Sequence, residues 1–136
     1  MIDIDSTIVA DLTQTVHRGE DFVIWGDPRF SFATYCGAAW MLRLGTRQHV
    51  WDSFDPARSP ALAKAAGCNG SDQGWISYCL WPNEAVWTRE DGLLSARWIK
   101  SGLPGDAVMV QFAGRLKPWD PAAQKRWPWI NKHWRL

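Results

Sequence analysis

The sequence predicts a mixed α/β or α+β fold, a mixed sheet with flanking helices. Three observations carry this. Short apolar segments bounded by turn residues recur along the chain. Ser59-Pro60 through Gly67 carries a full set of helix start and stop signals. Strand-like and helix-like segments are interleaved rather than clustered. The 136 residues suit a single domain, and 46% hydrophobic with 21% charged residues is a globular composition.

The elements follow in order. Ile2 to Val9 alternates, with Ile2, Ile4 and Ile8 on one face and Asp3, Asp5 and Thr7 on the other, which predicts a strand. Phe22 to Trp25 is a short apolar strand closed by Gly26-Asp27-Pro28. Tyr35 to Leu44 fits a strand and a helix almost equally, and its shortness between likely turns favours a buried strand ending at Gly45. Ser59 is the expected N-cap of a helix with Pro60 at its first position and Gly67 after its end. Ser71 caps a second helix running to about Trp81, with Trp75 and Cys79 on one face. Val86 to Trp98, centred on Asp91-Gly92, predicts two strands around a turn. Ala107 to Phe112 is a further strand. Trp127, Ile130 and Trp134 share helical spacing, but Pro128 splits the C-terminal region into two short helices.

Composition excludes several classes. Fifteen Lys and Arg against 14 Asp and Glu give a net charge of +1, which offers no electrostatic pull toward nucleic acid or an anionic membrane. The longest apolar run, Ala38 to Leu42, is far too short for a bilayer. Met-Ile-Asp-Ile-Asp has neither the basic nor the apolar region of a signal peptide. Cys36, Cys68 and Cys79 lack metal-ligand spacing and fit reduced thiols. A cytoplasmic setting is expected. His17, His49 and His133 are isolated in sequence and read as surface or structural residues. Gly-x-Ser-x-Gly, His-Glu-x-x-His and P-loop patterns do not occur.

Three motifs carry chemistry. Asp3-Ile4-Asp5 places two carboxylates where they could hold a hard divalent cation; taken alone it is equally a solvated strand end. Gly70-Ser71-Asp72-Gln73 is a helix cap that could also present Asp72 and Gln73 to substrate hydroxyls. Gln111 to Trp119 ends a strand with Gly114, then Lys117 before the rigid Pro118-Trp119. A Lys there can meet phosphate as a point charge, and the segment is equally an ordinary turn with a packed Trp.

Taken in order, these pieces resemble the GT-A-fold glycosyltransferases, family 8 and its bacterial and phage relatives. Ile2 to Leu12 is similar to the strand delivering their Asp-x-Asp. Tyr35 to Leu42 is similar to the strand beside their sugars, and Asp72-Gln73 to their Asp-Gln helix start. Phe112 to Trp119 resembles their closing Gly-x-x-Lys-Pro-Trp. The resemblance spans nearly the whole chain. It implies metal-dependent transfer of a sugar from a nucleotide-sugar donor to a hydroxyl acceptor. Asp3, Asp5 and Gln111 would be the Mn²⁺ or Mg²⁺ ligands. Asp72 and Gln73 would face the reacting centre. Gly114 and Lys117 would meet the phosphates, with Trp119 beside the ligand. Gln111 stands where the family usually has a metal-binding His, and Cys36 where relatives often have Asn. Family 8 members retain anomeric configuration. The resemblance further implies that residues 1–136 are one truncated domain, the C-terminal half of the fold. A homodimer or a complementing N-terminal half is then the expected partner.

Eleven Trp residues offer a reading from another class: a non-catalytic, Trp-rich sugar-binding or protein-interaction module. Indole rings stack on sugars but more often fill cores. Trp40, Trp75 and Trp98 are expected in the core. Trp127, Trp129 and Trp134 are expected to cover apolar surface or form a dimer face.

Overall fold

The computed structural model describes residues 1–26 and 35–134. The predicted turn at Asp27-Pro28 lies outside the described residues. The fold is mixed α/β, with its strands in two small mixed sheets. The chain divides into two compact units. One comprises Met1 and Gly19–Thr88, the other Ile2–Arg18 and Arg89–Leu136.

In the first unit, β2 (Phe22–Gly26) is central, flanked by β3 (Tyr35–Leu42) and β4 (Ala85–Trp87). It runs antiparallel to β3 and parallel to β4. Ile24 pairs with Trp40 but Trp25 pairs with Cys36, which leaves Gly37, Ala38 and Ala39 as an irregularity in β3. β3 is also the edge strand of its sheet, so its outward donors, the Tyr35 and Gly37 N–H groups among them, meet no strand partner. Helix α4 (Asp72–Leu80) supplies the missing partners. Ser77 Oγ accepts from the Tyr35 N–H at 2.8 Å, and Gln73 Oε1 accepts from the Gly37 N–H at 3.0 Å. Residues four apart lie on one helix face, so α4 covers this edge with two side chains. As the sequence predicts, Ser71 caps α4, its Oγ accepting from the Gly74 N–H at 3.3 Å. Phe22, Ile24, Tyr35 and Leu80 form the core here. Helices α2 (Gln48–Asp52) and α3 (Ser59–Ala65) complete the unit. In α3 the Ser59 hydroxyl is not a cap. It is buried and accepts from the Asp55 N–H at 2.9 Å, while Arg58 occupies the cap position.

In the second unit, β6 (Met109–Gln111) lies between β1 (Ser6–Ile8), antiparallel to it, and β5 (Leu93–Ser95), parallel to it. One face carries Thr7, Val110 and Leu94. Val110 and Leu94 pack with Phe112, Ala123, Trp127 and Ile130 in the core. The predicted strand over Ile2 to Val9 is thus much shorter. Ile4 and Asp5 form a turn in which the Ser6 N–H bonds the Asp3 carbonyl at 3.0 Å, and Ile4 is exposed. The two strands around Asp91-Gly92 exist, but β4 and β5 join different sheets. At that turn Gly92 has φ +80°, and a Cβ would lie 2.6 Å from Val108 Cγ2. Short α1 (Thr13–Val16) had no sequence signal, for it buries no residue. The C-terminal region splits at Pro128 as predicted, into α5 (Pro121–Arg126) and α6 (Ile130–His133).

The Trp expectations divide. Trp75 is buried, Trp40 is half-buried, and Trp98 is 61% exposed. Trp98 ends a 3-10 turn, Ala96–Trp98, whose inward residues are Ala96 and the following Ile99. Trp127 is a core residue whose Nε1 donates to the Ile99 carbonyl at 3.0 Å, and Trp129 and Trp134 pack against that core. All three His residues are exposed, and among the described residues no helix is long and apolar enough to cross a membrane.

Candidate functional site

The loop after β6 organises the second unit's polar chemistry. Strand β6 ends at Gln111, and the Phe112 N–H bonds the Asp5 carbonyl at 2.9 Å. This pairing sets the Ile4-Asp5 turn against the start of the Phe112–Trp119 loop. From the loop's far end, the Lys117 ammonium pairs with Asp5 Oδ2 and donates to the Phe112 carbonyl at 3.1 Å. Pro118 is fully buried and holds the Lys117 backbone in place, while Trp119 is exposed, its ring centroid 5.7 Å from that of Trp134.

The Asp5–Lys117 pair is partly desolvated, with side chains 14% and 29% exposed. The second Asp5 oxygen, Oδ1, is buried with no hydrogen-bond partner. Beside it runs a buried polar row. Ser6 and Ser95 flank Gln111 in register on the two neighbouring strands. Ser6 Oγ, Ser95 Oγ and Gln111 Oε1 are all buried without a partner. A buried, unpaired polar atom costs about 1–3 kcal/mol, which a water or a polar ligand here would offset. Neither serine was singled out in the sequence. Only the strand register shows that they neighbour Gln111.

Asp5 Oδ1 and Gln111 Oε1 are hard donors, the class that Mg²⁺ and Mn²⁺ accept. Among the described residues no three His, Cys, Asp or Glu side chains group around a metal position. Two such oxygens alone make no complete cation cage. Asp3 is exposed on the same turn.

Gly114, with φ +98°, and Arg115 line a pocket of about 320 Å³ beside the loop. The first unit holds Asp72 and Gln73. Gln73 is occupied, its amide oxygen tying α4 to β3, whereas Asp72 is exposed at the rim of a groove of about 520 Å³. That groove is walled by Trp40, Trp51, Phe54, Trp75 and Ile76, and Trp51 is 77% exposed. At one end Arg47 forms a two-pronged ion pair with Glu84, with Nη2 to Oε2 at 2.7 Å. The hydrogen bonds to Glu84 raise the Arg47 pKa above its ordinary value. The structure thus groups Asp5, Gln111, Gly114 and Lys117 in one unit and Asp72 and Gln73 in the other.

No known protein family, curated protein or solved structure matches the chain.

Proposed function

We propose that this chain is a glycosyltransferase-like protein that takes a nucleotide-sugar as donor and transfers the sugar to a hydroxyl acceptor in the cytoplasm. One observation carries the reading. The Lys of the Gly-x-x-Lys-Pro-Trp loop joins the second carboxylate of Asp3-Ile4-Asp5, although 112 residues separate them. The two motifs on which the resemblance leans hardest meet in space.

In this reaction the bond between the anomeric carbon and the diphosphate oxygen breaks, and its electron pair stays with the diphosphate. The acceptor oxygen bonds to that carbon and gives up its proton. Negative charge grows on the departing diphosphate, so stabilising it is the main catalytic task. Asp5 and Gln111, with Asp3, would hold Mn²⁺ or Mg²⁺, which when bound offsets that charge. Lys117 holds Asp5 in place and supplies a positive charge beside it.

The reaction is tested by incubating the chain with nucleotide-sugars and Mn²⁺ and measuring release of nucleoside diphosphate. Release that depends on metal and falls roughly 100-fold or more in Asp5→Ala supports the reading. Release no faster than in buffer contradicts it.

The aromatic groove favours a second reading, a glycan-binding module without catalysis. That reading predicts metal-independent binding of free glycan that is lost in Trp51→Ala.

A further inference from the structure

Three arginines converge on the pocket of about 320 Å³ beside the Phe112–Trp119 loop. Arg97, Arg115 and Arg126 line it together with Gly114, Phe112 and Trp127, and no carboxylate is among its lining residues. None of the three guanidiniums is ion-paired to a described residue. All three are exposed, and their shared charge makes the pocket attractive to an anion.

Two of the three are held ready. Arg97 Nε donates to the Ala113 carbonyl at 3.3 Å. A Cβ on Gly114 would lie 3.1 Å from Arg97 Nη2, so glycine gives the guanidinium its place against the loop. The Arg126 guanidinium lies over the Trp127 ring, 4.6 Å from its centroid. A planar guanidinium fixed in this way can fork two N–H groups onto a phosphate. Lys117 does not serve here, because its ammonium is taken by Asp5 and the Phe112 carbonyl.

We propose that Arg97, Arg115 and Arg126 form a metal-independent site for a phosphate or diphosphate group. Resting on the transferase reading, the group is the donor's diphosphate. Arginines from outside the loop motif, not Lys117, then carry its recognition. A phosphate on the acceptor would offer the same chemistry, and competition separates the two sources.

The probe is inorganic pyrophosphate, titrated in buffer containing EDTA and followed by calorimetry. Binding that weakens about tenfold or more in each of Arg97→Gln, Arg115→Gln and Arg126→Gln supports the site. Arg89→Gln, whose side chain pairs with Asp106 away from the pocket, should bind like the parent chain. Unchanged thermal midpoints in the variants tie the loss to binding. No pyrophosphate binding, or equal binding in the arginine variants and the parent, overturns the proposal. Displacement of pyrophosphate by nucleoside diphosphate supports the donor as source, and simultaneous binding of both overturns that assignment in favour of an acceptor phosphate. Asp5→Ala separates this proposal from the transferase reading. If it abolishes metal-dependent nucleoside diphosphate binding while the arginine variants change nothing, the pocket fails and the reading stands. If it changes nothing while the arginine variants lose pyrophosphate, the reading fails and the pocket stands.

Discussion

Gly74 illustrates how tightly single residues constrain this chain. A Cβ there would lie 1.9 Å from the Asn69 carbonyl oxygen, inside the turn that feeds α4. Backbone must move to admit a methyl group, so Gly74→Ala should cost roughly 3 kcal/mol, read from a lowered urea midpoint. Gln73→Leu strips the Gly37 N–H of its acceptor and should cost about 1–3 kcal/mol by the same measurement. A purely catalytic Gln73 would leave stability unchanged. Lys117→Met strands the partly buried Asp5 carboxylate, and a loss of about 1–2 kcal/mol is expected. Asp5→Asn added to Lys117→Met should recover part of that loss. Little of this was legible in sequence. The Ser71 cap was, because capping is local. Gln73's contact was not, because it depends on where β3 bulges. Trp98 falls in a predicted strand and is expected inward on that ground, but a 3-10 turn directs it to solvent.

Among the elements, α4 is tied to β3 by two side-chain hydrogen bonds, through Ser77 and Gln73. Tyr35 is fully buried at the start of β3, and its hydroxyl oxygen accepts from the Glu84 N–H at 3.1 Å. Burial raises the Tyr35 pKa above 10, with the Glu84 charge adding to the rise and the backbone hydrogen bond opposing it. The folded state therefore holds this proton more tightly than the unfolded chain. Its contribution to stability is complete below about pH 10 and is lost as pH climbs from there through the higher folded value. Chemical denaturation at pH 8 and pH 11 should show a lower midpoint at pH 11, with a smaller drop in Tyr35→Phe. Burial likewise pushes up the Cys68 and Cys79 thiols. Both should alkylate more slowly at pH 8 than a free cysteine, as read by peptide mass spectrometry. Elements with strong local signals, such as α3, α4 and the Pro128 break, were legible, and the shortness of β3 between turns tipped an otherwise even strand-or-helix pattern. Helices α1 and α2 were not, because neither buries a residue and so neither leaves an apolar stripe.

Across the whole molecule, two mixed sheets with separate cores replace the single sheet that the order of segments suggested. Local pattern identified strands on both sides of Asp91-Gly92. Pairing is a long-range choice, and it sent β4 to β2 and β5 to β6. The candidate site was legible as motifs, Asp3-Ile4-Asp5 and Gly114 to Trp119, but not as an assembly. The serine row beside Gln111 depends on register, and the arginine pocket gathers residues from three separate segments. The central claim is that Asp5 and the loop carrying Lys117 serve a metal-dependent nucleotide-sugar site. Calorimetric titration of nucleoside diphosphate, with and without Mn²⁺, on the parent chain and Asp5→Ala tests this most directly. The account predicts binding strengthened tenfold or more by Mn²⁺ in the parent and no metal effect in Asp5→Ala. Equal affinity with and without Mn²⁺ in the parent chain would contradict it.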